Sequence, residues 1–176
     1  TNVARKSVNS SFATPFYKKA EVKDVYNQLS LTLKGGFILE IRAYDEGAAY
    51  RIVSRQSKPY LVMNETVEFN FAGDYKAFVP YVNDNRSGER YCYSFESYYD
   101  EAPLSAMFAD SLAITPLLVD LGNGKKVTLM EAGLENYPGM FLKKGEGNAL
   151  VAEFAPVPLA EVIGGHAELN LIPTER

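Results

Sequence analysis

Leu29-Ser30-Leu31-Thr32-Leu33-Lys34-Gly35-Gly36-Phe37-Ile38-Leu39-Glu40-Ile41-Arg42-Ala43-Tyr44-Asp45-Glu46-Gly47 carries the period that sets the class of this protein. Leu29, Leu31 and Leu33 alternate with Ser30, Thr32 and Lys34, the spacing of a strand with one buried face. Gly35-Gly36 then turns the chain. Phe37, Leu39, Ile41 and Ala43 line one face of the next strand. Asp45-Glu46-Gly47 reads as a second turn, with Gly47 free to take positive φ. Ala48 to Val53 returns, so the three segments read as an antiparallel meander.

Working outward, the same texture continues. Val67, Phe69 and Phe71 alternate with Glu68 and Asn70. Lys76 to Tyr81 is a short strand ended by the polar run from Asn83 to Gly88. Tyr91, Tyr93 and Phe95 alternate with Cys92, Ser94 and Glu96. Ile114 to Val119 reads as a buried strand in which Pro116 marks an edge or a bulge. Asp120-Leu121-Gly122-Asn123-Gly124 is a hairpin turn into Lys125 to Met130. Met140 to Lys143 and Ala149 to Phe154 flank Gly145-Glu146-Gly147 as a last hairpin. Helical signal is confined to a turn or two over Val22 to Leu29 and one over Ala102 to Asp110. The run from Pro156 to Arg176, rich in Pro, Gly and charge, reads as partly loose. The expected fold class is all-β, a mostly antiparallel sandwich with at most short helical turns.

Composition narrows the function. The chain has 176 residues, 47% of them apolar and 23% charged, which excludes intrinsic disorder. No apolar run is long enough for a membrane-spanning helix. Eighteen Lys and Arg stand against 22 Asp and Glu, a net charge of −4, which argues against nucleic acid as a partner. One cysteine, Cys92, and one histidine, His166, leave no internal disulfide and no zinc cluster. Thr1 is not a natural start, so the chain is expected to be a processed or cut form of a longer protein, compatible with a removed signal peptide.

Few residues carry chemistry. His166, in Gly164-Gly165-His166, lacks a partnering Ser and carboxylate in sequence and reads as a surface residue. Gly145-Glu146-Gly147 lacks the context of a phosphate loop and reads as a hairpin turn. Asn9, Asn64 and Asn85 open N-x-S/T triplets, which matter only in a glycosylating pathway. Tyr91, Tyr93, Tyr98 and Tyr99 crowd one region; aromatic faces stack on sugars, but alternation with Cys92 and Ser94 already accounts for a packed face. Glu131 stands where a clear strand ends and the chain bends. A carboxylate there ligates a hard cation or accepts a hydrogen bond from a partner, and it equally reads as a solvated charge.

Three stretches together resemble the N-terminal domain of glycoside hydrolase family 97. They are Pro15-Phe16-Tyr17 through Tyr26-Asn27-Gln28-Leu29; Ile41-Arg42-Ala43-Tyr44-Asp45-Glu46-Gly47-Ala48-Ala49-Tyr50-Arg51; and, the most specific, Glu131-Ala132-Gly133-Leu134-Glu135-Asn136-Tyr137-Pro138-Gly139-Met140. The resemblance covers roughly residues 10 to 165. It implies a fragment of a galactose-mutarotase-like β-super-sandwich over 1–165, with 166–176 as a polar tail or linker. Enzymes of the family are α-glucosidases or α-galactosidases exported to the periplasm, in which this domain packs on a catalytic (β/α)8 barrel and helps shape the oligosaccharide site. It also implies a calcium ion held mainly by glutamates, one of them in the motif that here reads Glu131-Ala132. That role carries to Glu131 alone. One carboxylate does not make a tight calcium site, so the fragment is not expected to bind the ion tightly.

The barrel is absent from this chain, and the early strands of the domain are expected to be missing too. The catalytic carboxylates of either hydrolytic stereochemistry lie elsewhere, so no catalytic residue is assigned and no turnover is expected of this chain alone. Phe16-Tyr17-Lys18-Lys19 resembles the retaining α-galactosidase branch more than the inverting α-glucosidase one. Two other readings compete. One is a stand-alone carbohydrate-binding sandwich, marked by a row of exposed tyrosines. The other is a structural domain that dimerises through open sheet edges. A large bare apolar face favours the enzyme-domain reading.

Overall fold

In a computed structural model of the protein, which describes residues 2–82, 91, 95, 97–135, 137–156, 158–163 and 169–173, Gly35 and Gly36 turn the chain at φ of 82° and 79°. Those values are in the region open to glycine at no steric cost. The chain divides into two compact units, Thr1–Leu61 and Val62–Arg176.

The first unit is one antiparallel sheet in the order β1 (Asn2–Ala13), β2 (Glu21–Thr32), β3 (Phe37–Tyr44) and β4 (Gly47–Ser54). Its register sorts the side chains into two unlike faces. Val3, Leu31, Leu39 and Ile52 lie in one row across all four strands, with Leu29, Ile41 and Tyr50 in the next. This apolar face is bare enough that Ile52 keeps 52% and Tyr50 46% of its accessible surface. The opposite face is mixed, with Tyr26 and Ile38 buried beside an internally bonded polar group. The Arg42 guanidinium lies 4.3 Å from the Tyr26 ring centre, and its Nε donates to Gln28 Oε1 at 3.1 Å. Gln28 Nε2 in turn donates to Glu40 Oε1 at 3.2 Å, and Arg51 pairs with Glu40 at 2.7 Å. Hydrogen bonding and pairing with Arg51 hold the Glu40 carboxyl below the usual carboxylate range.

Two expectations need correction here, and one strand lay outside them. Val22 to Leu29 is not helical but lies inside β2, laddered to β1 along its length and to β3 from Asn27. Val22 and Tyr26, four apart, also sit on one face of a period of two, so the apolar spacing fitted both readings. β1 has no apolar alternation of its own and was not anticipated. Gly47 is outside the positive-φ set; it sits in the ladder opposite Tyr44, and Asp45-Glu46 alone makes the turn.

The second unit is a small sandwich. One sheet runs β7 (Asp100–Pro103), β6 (Lys76–Val79), β8 (Leu117–Gly122), β9 (Lys125–Leu129), and the other β10 (Met140–Lys144), β11 (Ala149–Phe154), β5 (Glu68–Asn70). Val79, Leu117 and Val119 of the first sheet meet Leu142, Leu150 and Phe154 of the second in one buried cluster. Ala113 bridges to both Tyr81 and Leu142. Across the outer face of the first sheet, Lys76 bonds Glu101 at 2.9 Å and Lys126 bonds Asp120 at 3.2 Å. Asn123 and Gly124 take φ of 52° and 76°, the conformation that makes Asn-Gly a hairpin turn. Pro116 neither edges nor bulges a strand. β8 begins after it, lies between two neighbours, and shifts register at Asp120/Gly122 instead. The helical expectation over Ala102 to Asp110 reduces to one 3-10 turn at Leu104–Ala106. Asp74 anchors that turn, accepting from Ser105 N at 2.8 Å and Ser105 Oγ at 2.6 Å. The run after Pro156 is not loose throughout, since β12 (Pro158–Ile163) and β13 (Leu169–Pro173) pair antiparallel. The fold is an all-β sandwich, as expected.

Candidate functional site

β9 ends at Leu129 and β10 begins at Met140, so Glu131 opens the loop between two strands of different sheets. The Met140 N–H donates to both carboxylate oxygens of Glu131, at 2.8 Å to Oε1 and 2.9 Å to Oε2. The carboxylate thereby closes the loop at its base, and its orientation is fixed by the first amide of β10. Within the loop, Gly133 takes φ of 68°, and the Glu135 N–H donates to the Gly133 carbonyl at 2.8 Å. Tyr137 reaches out of the loop. Its hydroxyl donates to Glu65 Oε2 at 2.6 Å, and its ring stands edge-on to Phe154 at 5.9 Å. Met130, Leu134 and Tyr137 leave apolar surface exposed around the half-buried Glu131.

This geometry bears on cation binding. A donor shared by both oxygens occupies the two lone pairs that face each other, which are the ones used in bidentate chelation. Glu131 as placed suits one-oxygen ligation through an outward lone pair. Among the described residues no group of three or more His, Cys, Asp or Glu side chains converges on a common point. Calcium takes about six to eight oxygen ligands, of which Glu131 in this geometry can supply one oxygen.

The other candidates separate clearly. Tyr91 is packed, its ring 5.4 Å from Phe141 and its hydroxyl bonded to Glu153, which also pairs with Lys143 at 2.6 Å. Tyr99 packs edge-on to Phe95 at 5.3 Å, whereas Tyr98 is 93% exposed. Asn9 and Asn64 are exposed. Cys92, Tyr93, Asn85 and His166 lie outside the described residues. Sequence reasoning missed Glu65 and the Met140 amide: one is distant in the chain, and the other is a backbone group with no side-chain signature.

Residues 1–162 match the model of a family described as Glycosyl-hydrolase 97 N-terminal. The chain belongs to that family. This family 97 N-terminal chain is 39% identical over 179 residues to a retaining alpha-galactosidase of Bacteroides thetaiotaomicron, an alignment covering 99% of the chain and 27% of the relative. It thus spans about a quarter of that enzyme's length. Its fold resembles that of a glycoside hydrolase family 97 enzyme from Pseudoalteromonas sp. strain K8 in complex with acarbose. There the TM-score is 0.66 and the identity 21%, over 89% of this chain and 24% of that one. A β-arabinopyranosidase gives a TM-score of 0.69 at 22% identity, over 99% of this chain and 30% of that one. No helix among the described residues is long and apolar enough to cross a membrane.

Proposed function

We propose that this chain is the accessory N-terminal domain of a calcium-dependent, retaining α-galactosidase of the periplasm. In that enzyme it packs on the catalytic barrel and contributes Glu131 as one ligand of a shared calcium ion. The similarity to the Bacteroides enzyme over nearly the whole chain carries the choice of α-galactosidase over α-glucosidase. The bare apolar face of the first unit favours a domain that normally lies against more protein. In the crowded tyrosine region, Tyr91 packs on Phe141 and Tyr99 on Phe95, so of its described tyrosines Tyr98 alone lacks a ring contact of this kind, which gives the sugar-binding-module reading little support.

In mechanism, the chain's own residues act by positioning. The Met140 amide orients Glu131, so one oxygen is offered outward with little reorganisation when the site assembles. A bound calcium ion supplies electrostatic orientation of polar groups near the reacting bond. In this reading the acid and nucleophile, two carboxyl groups about 5 Å apart in retaining hydrolysis, come from the rest of the parent enzyme, the chain spanning about a quarter of its relative's length.

The test is hydrolysis of p-nitrophenyl α-galactoside and α-glucoside by the full-length parent, with calcium and with chelator. Calcium-dependent release from the galactoside supports the proposal. Preference for the glucoside, or indifference to chelator, removes the corresponding half of it.

A further inference from the structure

We propose that the Tyr137–Glu65 pair is a brace that holds the Glu131 carboxylate in its ligand geometry. The inference rests on the reading of Glu131 as a calcium ligand and adds two positioning residues to it.

The described residues from Glu131 to Gly139 lie outside both sheets and form no ladder of their own. Their hydrogen bonds do different jobs. The Glu131–Met140 contact closes the base, and the Glu135–Gly133 contact is local. The Tyr137–Glu65 contact joins the far side of the loop to a segment 72 positions away in sequence. That segment is itself fixed. Two residues beyond Glu65, the Val67 carbonyl accepts the Ala152 N–H at 2.9 Å, and β5 then pairs with β11. The Tyr137 ring meets the buried Phe154, which lies directly opposite Met140 in the β10–β11 ladder. A continuous path of contacts therefore runs from Glu65 through Tyr137 and Phe154 to Met140, whose amide orients Glu131. A hydroxyl donating to a carboxylate is among the stronger hydrogen bonds.

The brace is tested in the full-length parent by calcium titration calorimetry, together with hydrogen exchange at the Met140 amide in the calcium-free enzyme. Tyr137→Phe keeps the ring and removes only the hydroxyl. We expect Tyr137→Phe and Glu65→Ala each to weaken calcium binding about tenfold, the lower end of what loss of an outer-shell partner costs a metal site. The double variant is expected to be no weaker than either single one, because one interaction is removed twice. Glu65→Gln keeps an acceptor and is expected to stay within about twofold of the parent. Exchange at Met140 should quicken in Tyr137→Phe and Glu65→Ala. Parental calcium affinity and parental Met140 protection in Tyr137→Phe would overturn the brace. So would a double variant whose losses simply add. Unchanged affinity in Glu131→Ala would instead overturn the ligand assignment itself, and the brace with it.

Discussion

Truncating Leu142 to alanine tests whether the second unit is sealed where the Glu131 loop joins it. Leu142 is fully buried and lies two residues into the strand that Met140 opens. Its neighbours have little room to close the gap. Ala113 exchanges backbone hydrogen bonds with Leu142 at 2.7 and 2.8 Å, and Ala152 pairs with it across the other edge. Leu-to-Ala changes at buried sites cost about 2.7–5 kcal/mol, more where the surroundings do not collapse. Two clamped edges place this one at about 4 kcal/mol. For a chain of this size that lowers the melting temperature by about 8–16 °C. Thermal unfolding followed by circular dichroism reads the shift, with Leu118→Ala on the outer face of β8 as the control. A drop below about 1.5 kcal/mol, or a control that falls as far, would contradict a close-packed sandwich core.

Other expectations follow from single sites. Gly145→Ala places a Cβ 2.8 Å from Val151 Cγ2 and 3.0 Å from Ala149 Cβ, so overpacking should cost about 1–3 kcal/mol in chemical denaturation. Arg42→Ala removes the donor to the buried Gln28 Oε1; we expect a loss of about 1–3 kcal/mol, shrinking in the background of Gln28→Leu because the orphaned acceptor is then gone. The Asp74 carboxyl is held below its ordinary range by the Ser105 hydroxyl and amide. Its folded pKa is depressed, so its contribution is present above the unfolded value of about 3.9 and fades as pH falls through the folded one. Asp74→Ala should therefore melt below the parent at pH 7 and converge with it in strong acid; a gap that persists unchanged would refute the linkage.

The meander was legible from Leu29 to Val53 because alternation and the Gly35-Gly36 turn agreed, two local signals pointing to one structure. β1 was not, since Asn2–Ala13 owes its strand state to hydrogen bonds from β2 and not to an apolar face. β12 and β13 were hidden by Pro, Gly and charge, which speak for loops in isolation and not against a paired hairpin. At the candidate site, Glu131 was visible as a carboxylate at the end of a strand. Glu65 was not, because nothing periodic links residues 72 positions apart that only the closed sandwich brings together.

The proposal to test first is that Glu131 serves a calcium ion shared with the rest of the enzyme. Calcium titration calorimetry of the full-length parent and its Glu131→Ala variant tests it most directly. We expect affinity at least about 100-fold weaker in the variant, beyond the usual cost of losing an outer-shell partner, with galactoside hydrolysis falling alongside. Equal calcium affinity in the two proteins would contradict it.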